Sequence, residues 1–437
     1  MISFTPSFLR AKGRAGFHMA LAIALAMGGA VAVAGYAEPA YAAKKEKAGK
    51  TNYTKEFVAI YQPLAGKANA EGADANALKA EIAPLLAEVK TDDDKMAAGQ
   101  LVYNIGTKSQ DIGLQRQGMD LMLESGKVNP ESQPQYLFVS GQLAYQAKDW
   151  AAARDRVQQA IAAGYTQNDP EAIIAEAYFN EGRETEGLNY LSGVIAQREA
   201  AGAAVPVEWI KRGLTVAYRG NIGAEARKYS VMLVKYDPTR DSWGDAIAIE
   251  RSFFNYDNQE VLDLMRLARR TDALRSERDY VDYIEAADPR RLPGEVKAIT
   301  DEGIAAGKLR KGDVFVNDAL NMSSGRIAAD KADLPGLARD ARAASSKAVT
   351  AMAAGDAFLS YGDAPVAEEM YTIAMGKAGV DMDRVMTRLG IAQLEQGKYD
   401  EAVASFAKVS GVRKPIAELW TLHAKLEAGD IGAQPAA

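Results

Sequence analysis

Apolar side chains recur at steps of three and four residues along most of this chain, a spacing typical of amphipathic helices. The clearest stretch spans residues 385–409, VMTRLGIAQLEQGKYDEAVASFAKV. Its apolar positions form two runs on either side of Gly397, the residue type expected just past the end of a helix. Gly390 in the first run and Ala402 in the second are small, so two helices can approach closely there. The stretch therefore predicts two helices joined by a tight turn.

The same pattern returns elsewhere in the chain at a nearly constant step. The small residues Gly141 and Ala175 are 34 residues apart, and Gly355 and Gly390 are 35 apart. A looser unit between them is placed with its centre at Thr215. A single helix pair cannot bury its apolar face alone, so several pairs are expected to stack into an array.

The repeat resembles a known family. The residues at that family's signature positions are Leu389, Gly390, Gly397, Tyr399, Ala402 and Phe406, with Gln393 in place of a usual aromatic. They resemble the tetratricopeptide repeat (TPR), whose unit is a helix–turn–helix of 34 residues. The resemblance implies an all-α fold, an α-solenoid of TPR-like helix–turn–helix repeats. The repeats form either one superhelix or two arrays joined by an irregular helical insert.

The repeat register is lost where several prolines fall between residues 286 and 346, and this interruption divides the chain. The predicted segments are a signal peptide (1–42), a flexible lead-in (43–56), an N-terminal TPR-like helical array (57–285), an irregular insert or linker (286–346) and C-terminal TPR repeats with a capping helix (347–430).

The N-terminus has the layout of a secretory signal peptide. Three basic residues between positions 10 and 14 precede an apolar run over 19–34, and Ala40-Tyr41-Ala42 supplies an A-x-A site, which predicts cleavage after Ala42. The alternative is an uncleaved membrane anchor. The run is rich in Ala and Gly and shorter than the roughly 20 apolar residues that span a bilayer, so cleavage is favoured.

Charge and cysteine content argue against several classes of function. Removing residues 1–42 takes away three basic residues and one acid, so the net charge changes from −6 to −8. An acidic chain lacks the basic footprint of a nucleic-acid binder. With no cysteine, it has no disulfide framework and no thiolate metal site. We expect a periplasmic or secreted protein with no stable membrane insertion after cleavage.

Motifs for catalysis or cofactor binding are weak. After cleavage, His423 is the single histidine, so a histidine-based triad or zinc site cannot be completed and a packed helix position is expected. Residues 303–308, GIAAGK, lack the spacing of a phosphate-binding loop and predict a helix end with Gly307 as its cap. Residues 92–94, three aspartates, lack the ligand pattern of a calcium loop and predict the first turn of a helix. No cofactor, metal site or catalytic residue is predicted.

The family resemblance also implies a partner-binding groove lined by the first helices of the repeats. Carried onto this chain, it implicates Phe138, Gln142, Tyr145, Glu176, Phe179, Arg212 and Arg219. The two arginines depend on the unit centred at Thr215. Phe138 and Phe179 have an alternative reading as core residues between helix pairs. A lysine- and asparagine-based carboxylate clamp is not expected, because Phe138 and Gln142 occupy the positions it would need.

The sequence thus predicts a non-catalytic protein- or peptide-binding scaffold or assembly factor in the cell envelope. The alternative is a helical-toroid polysaccharide hydrolase or lyase that uses Asp, Glu or Tyr. A pocket with two carboxylates, or a cluster of Tyr, Arg and an acid, would favour this alternative. The tyrosines Tyr256, Tyr280 and Tyr283 lie close together in the sequence.

Overall fold

The computed structural model describes residues 51–430. These residues form α-helices, two short 3₁₀ turns and connecting loops, with no strand anywhere in that range. They divide into an N-terminal unit, 51–201, and a C-terminal unit, 202–430. The predicted all-α class and the pairing of consecutive helices are confirmed. The predicted signal peptide and its cleavage point lie outside the described residues.

The N-terminal unit is a run of helices. From the helix over residues 92–108 onward, each helix of the unit packs against the next. This helix starts at Asp92, where Thr91 and Asp94 cap each other's backbone N–H groups, so the predicted first-turn aspartates are confirmed. The elements are α1 (Lys55–Asn69), a 3₁₀ turn (Ala77–Glu81), α2 (Ile82–Ala87), α3 (Asp92–Lys108), α4 (Ile112–Glu124), α5 (Gln133–Gln146), α6 (Trp150–Ala162), α7 (Pro170–Asn180) and α8 (Glu184–Ala200).

Within the C-terminal unit each helix likewise packs against the next, and the helix over residues 258–270 also packs against the helix over residues 414–428. Its elements are α9 (Val207–Arg219), α10 (Gly223–Tyr236), α11 (Arg240–Phe253), α12 (Asn258–Arg270), α13 (Glu277–Ala287), α14 (Pro293–Ala305), α15 (Val314–Arg342), α16 (Ala348–Ser360), α17 (Ala364–Met375), α18 (Met382–Leu394), α19 (Tyr399–Phe406), a 3₁₀ turn (Gly411–Arg413) and α20 (Lys414–Ala428).

One contact recurs in the helix pairs and identifies equivalent positions. A glycine on the first helix faces a side chain that follows 16 residues later on the second helix. The pairs are Gly141–Val157, Gly213–Tyr229, Gly355–Tyr371 and Gly390–Phe406. A Cβ atom at each of these glycines would lie within 2.5 Å of its partner side chain. Gly355 and Gly390 are therefore equivalent positions, and the helix axes approach as closely as the missing side chains allow.

The stretch 286–346 contains α14 and the single long helix α15, of 29 residues. Gly307, in the left-handed region at φ +66°, follows the end of α14, as its predicted capping role requires. Pro335 lies inside α15. The domain boundaries drawn from the sequence stay a prediction.

The close approach at Gly390 gives a direct test of the repeat contact. The free energy of unfolding of Gly390→Ala is expected to fall by about 1–3 kcal/mol, the usual cost of overpacking a core. The added Cβ would lie 2.4 Å from the ring of Phe406, which is buried and stacks on Trp420. Urea unfolding followed by circular dichroism measures the change.

Gly325→Ala is the matched control. Gly325 lies inside α15 with no neighbouring atom near its missing Cβ, so alanine should raise the free energy of unfolding by up to about 1 kcal/mol through helix propensity. If both substitutions changed the free energy of unfolding in the same direction, the steric role of the close contact between Gly390 and Phe406 would be contradicted.

Candidate functional site

Four of the predicted groove residues lie on two neighbouring helices of the N-terminal unit. Gln142 and Tyr145 are on α5, Glu176 and Phe179 are on α7, and all four are half-buried. The amide of Asn180 donates a hydrogen bond to the Tyr145 hydroxyl at 2.8 Å, which links α5 to α7. This bond brings Tyr145 next to the end of α7, one residue beyond Phe179.

Contacts of their rings hold Tyr145 and Phe179 in place. The Tyr145 ring meets Trp150 edge to face, with 5.0 Å between centroids. The Phe179 ring lies against Gly187 on α8, where a Cβ atom would be 2.5 Å from it. Both rings are fixed by their own unit and present only part of their surface to a partner.

Phe138 does not belong to the accessible face. It is 2% exposed, and its ring stacks on Tyr165 with 4.2 Å between centroids. Of the two readings that the sequence leaves open for Phe138, the structure supports the core position, since a buried aromatic ring cannot reach a partner.

The two predicted arginines rest on a register that the structure corrects. Gly213, not Thr215, makes the close contact with Tyr229 in this helix pair. The groove positions lie three residues before, one after and four after the small residue, so counting from Thr215 placed Arg212 and Arg219 two residues too late. Counted from Gly213, the groove positions are Ile210, Leu214 and Ala217, all fully buried. Arg212 is half-buried and Arg219 exposed, both in the C-terminal unit.

In the C-terminal unit the same repeat positions face inward. Asp356 follows Gly355 and Ile391 follows Gly390, as Gln142 follows Gly141, yet both are buried. The face that is open in the N-terminal unit is here filled by side chains of the unit itself.

A buried charge cluster, made of Asp263, Asp356, Arg388 and Arg413, occupies this interior. Arg388 donates from Nε to Asp263 Oδ1 at 3.0 Å and from Nη1 to both carboxylate oxygens of Asp356 at 2.6 and 2.7 Å. Arg413 donates to Asp263 Oδ2 at 2.6 Å. Every member has almost no exposed surface. Helices α12, α16 and α18 and the turn before α20 thus meet at one set of ion pairs.

Electrostatics keeps Asp356 ionised. Burial alone would raise the pKa of Asp356, but the nearby guanidinium groups, Arg388 first, outweigh burial and lower that pKa to about 2. The Tyr371 hydroxyl also donates to Asp356, at 2.8 Å. These charges are paired and hydrogen-bonded, which is the condition under which buried charges are tolerated.

A second buried group lies beside the cluster. Arg266 on α12 donates from Nε and Nη2 to the two oxygens of Glu295 on α14, each at 2.8 Å. The Tyr283 hydroxyl donates to the same carboxylate at 2.8 Å. Tyr283 thus joins an arginine and an acid, a combination that the enzymatic alternative would use.

The pKa shifts in this group are opposite to those of a tyrosine base or a carboxylic acid catalyst. Burial raises the pKa of Tyr283 well above its usual value, and the charge of Glu295 raises it further, so the tyrosine stays protonated. Burial would raise the pKa of Glu295, but Arg266 overcomes this and the pKa is lowered. A lyase base needs a lowered tyrosine pKa and a glycosidase acid a raised carboxyl pKa. Both shifts here have the opposite direction.

A pocket of about 490 Å³ opens next to these groups within the C-terminal unit. Its polar lining includes Arg266, Arg269, Arg270, Tyr283, Glu295 and Glu395, and its apolar lining includes Leu359, Ile391 and Trp420. Apart from Gly362 and Glu395, which lie between helices, the lining residues come from α12, α13, α14, α16, α17, α18 and α20.

Sequence reasoning missed the cluster and the pocket. The available signal was a charged residue inside an otherwise apolar run, as with Asp263 and Arg266 in VLDLMRLA and Arg388 before LGIAQL. A helix that buries both flanks of a charge must also bury the charge, so such a residue needs a buried partner. The identity of that partner, 125 residues away for Asp263 and Arg388, is not readable from the pattern.

His423 packs in the core of the C-terminal unit, as expected. Its ring meets Trp420 and Trp243 edge to face. Residues 51–430 contain no group of three His, Cys, Asp or Glu side chains placed to bind a metal ion. Over the same range, none of the helices combines the length and apolar character that a bilayer crossing requires.

Comparison with known proteins adds no family. No protein-family model matches this chain, and no curated protein matches it. One solved structure it resembles is Naa15/Naa10 bound to HypK-THB, at 12% identity and a TM-score of 0.26, with 83% of this chain and 65% of that chain covered. Another is the APC/C hetero-tetramer Cut9-Hcn1, at 10% identity and a TM-score of 0.19, covering 88% and 95%. The fold assignment rests on the helices and repeat contacts of this chain itself.

The buried cluster gives a stability prediction. Arg388→Met should lower the free energy of unfolding by about 3–5 kcal/mol, because it leaves Asp263 and Asp356 buried without their shared partner. Arg342→Met is the matched control: Arg342 makes an equally well-formed two-bond pair with Glu369, at 2.7 and 2.8 Å, but in an exposed position. Exposed pairs contribute about 0–1 kcal/mol. Equal losses in urea unfolding would contradict the role of burial.

His423 gives a pH prediction. Burial lowers its pKa from 6.5 to about 4. Smaller effects come from Glu427, which raises the pKa, and from Arg270, which lowers it. As the pH falls, the unfolded chain therefore takes up this proton at a higher pH than the folded chain does. The contribution of His423 to the free energy of unfolding is fully present above pH 6.5 and is lost as the pH drops towards 4. We expect a loss of about 2 kcal/mol by pH 5 from this group. His423→Phe should lack this share of the pH dependence, and an unchanged slope in urea unfolding would contradict the assignment.

Proposed function

We propose that this chain is a non-catalytic scaffold of the cell envelope that binds a protein or peptide along the groove face of its N-terminal unit. The groove face consists of Gln142 and Tyr145 on α5 and Glu176 and Phe179 on α7. The observation that carries the proposal is a difference between the two units. The groove positions around Gly141 and Ala175 keep accessible polar and aromatic side chains, whereas those around Gly355 and Gly390 are mostly buried.

The chemistry of the groove face suits a polypeptide partner. Tyr145 and Phe179 offer rigid aromatic surface, and aromatic residues are enriched among the side chains that dominate protein interfaces. Gln142 can donate and accept hydrogen bonds from a peptide backbone, and Glu176 supplies a negative charge that would orient a basic partner. Because packing and hydrogen bonds already order these helices, binding would cost little further conformational entropy.

The envelope location rests on the sequence of residues 1–42, with its basic start, apolar middle and A-x-A site. The proposal includes cleavage after Ala42 and release of the remaining chain into the periplasm or outside the cell. The non-catalytic assignment is supported by the protonation states of Tyr283 and Glu295, which oppose the polysaccharide hydrolase or lyase alternative.

An affinity capture from envelope extracts tests the proposal. The groove variant is Gln142→Ala, Tyr145→Ala and Glu176→Ala combined. Proteins captured by the wild type should bind the groove variant about thirtyfold more weakly and be recovered in much smaller amounts, since loss of one interface aromatic typically costs roughly 2 kcal/mol. Mass spectrometry of the same bait, expressed from its full-length gene, should find Ala43 as the first residue.

The control variant changes three exposed residues on α6, with Asp155→Ala, Gln158→Ala and Gln159→Ala. It should retain the wild-type partners. Phe138→Ala is unsuitable as a groove test, because a cavity in place of a buried ring would itself cost about 3–5 kcal/mol. The same partners at the same level from wild type and groove variant would refute the groove face.

A further inference from the structure

The pocket of the C-terminal unit is not used by the proposed scaffold function, which lies on the N-terminal unit. Its volume of about 490 Å³ falls in the range of small-molecule sites, roughly 300–1,000 Å³. The lining combines arginine side chains with an apolar wall.

Three arginines line the pocket from one side of α12, at positions 266, 269 and 270. The spacing of three and four residues places them on the same helix face. Each arginine has a carboxylate partner. Arg266 pairs with Glu295, Arg269 with Glu302 and Arg270 with Glu395. Only Glu295 and Glu395 line the pocket itself, so its wall carries more positive than negative groups.

The two outer arginines have unused donors. Within residues 51–430, Arg269 donates one hydrogen bond, from Nε to Glu302 at 2.9 Å, and Arg270 donates one, from Nη1 to Glu395 at 3.2 Å. A guanidinium group has five N–H donors. Both pairs are 35–41% exposed, and ion pairs of that kind contribute only about 0–1 kcal/mol. An incoming oxyanion can therefore use the spare donors or replace the glutamates.

The apolar lining determines the rest of the ligand. Ile391 and Trp420 are almost fully buried, so Leu359, which is half-buried, supplies the accessible apolar surface among these three residues. An apolar group attached to the anion would cover Leu359, at a gain of about 25 cal/mol per Å² of surface removed from water.

We propose that this pocket binds an organic anion, whose carboxylate or phosphate group is held by Arg269 and Arg270 and whose apolar group lies against Leu359. Carboxylate and phosphate share the oxyanion geometry that a guanidinium fork recognises. Arg270 is the last residue of α12, and Glu395 directly follows α18, 125 residues later in the sequence, so the ligand would sit where distant parts of the unit meet.

Isothermal titration of the full chain with hexanoate and with hexyl phosphate tests the proposal, with 1-hexanol as the uncharged analogue. At least one anion should bind saturably and about tenfold or more tighter than 1-hexanol. Tighter hexanoate binding identifies a carboxylate ligand, and tighter hexyl phosphate binding a phosphate ligand. No saturable binding of either anion up to about 10 mM, which corresponds to less than roughly 3 kcal/mol, would overturn the proposal.

Variants with opposite expected effects locate the site. Arg269→Gln with Arg270→Gln should weaken anion binding about tenfold, because the donors are lost. Glu302→Gln with Glu395→Gln should tighten it severalfold, because the competing carboxylates are lost. Unequal folding cannot imitate this pattern, since both double variants break the same two ion pairs. Arg326→Gln with Arg339→Gln removes the same charge from exposed positions on α15 and should change nothing. Equal affinity in the first two variants would place the anion elsewhere.

Discussion

A guanidinium group with no exposed surface holds the C-terminal unit in its shape. Arg388 bonds at once to Asp263 on α12 and Asp356 on α16. Taking these charges out of water is costly, and only well-formed hydrogen bonds among them offset that cost. The helices of this unit therefore have to converge on one point. In an open solenoid, each repeat contacts only its neighbours, and the packing of α12 against α20 departs from that rule.

The same repeat position has different surroundings in the two units. In the N-terminal unit, the residues that follow Gly141 and Ala175 are Gln142 and Glu176, which remain partly accessible. In the C-terminal unit, Asp356 follows Gly355 and forms buried ion pairs with arginines of the same unit. One repeat architecture thus yields a surface in one unit and a stabilised interior in the other. The residue after the small position decides between the two outcomes, together with the partners that the rest of the chain supplies.

Local spacing was sufficient to predict the helices and their pairing. The period between Gly355 and Gly390 reflects a real steric requirement, because each glycine makes room for an aromatic ring on the next helix. The same reasoning went wrong by two residues at Thr215, because the packing of Tyr229 against Gly213 puts the small position at Gly213.

The candidate sites were less predictable than the helices. Phe138 reads equally well as a groove or a core residue, since its burial depends on Tyr165, which lies beyond the helix pair. The ion pairs of Asp263 and the wall of the pocket require contacts between residues more than a hundred positions apart. Helical periodicity describes only neighbours along the helix and has no information about such distant partners.

The bond from the Trp420 indole Nε1 to the backbone carbonyl of Asp263, at 3.1 Å, spans 157 residues. Along the chain, Asp263 precedes Arg388, Arg413 and Trp420 by more than a hundred residues. Its carboxylate must stay hydrated until these partners arrive, and the native interior can form only after nearly the whole unit has emerged. Vectorial, repeat-by-repeat folding is therefore closed to this half of the molecule, and its assembly is a late and cooperative event.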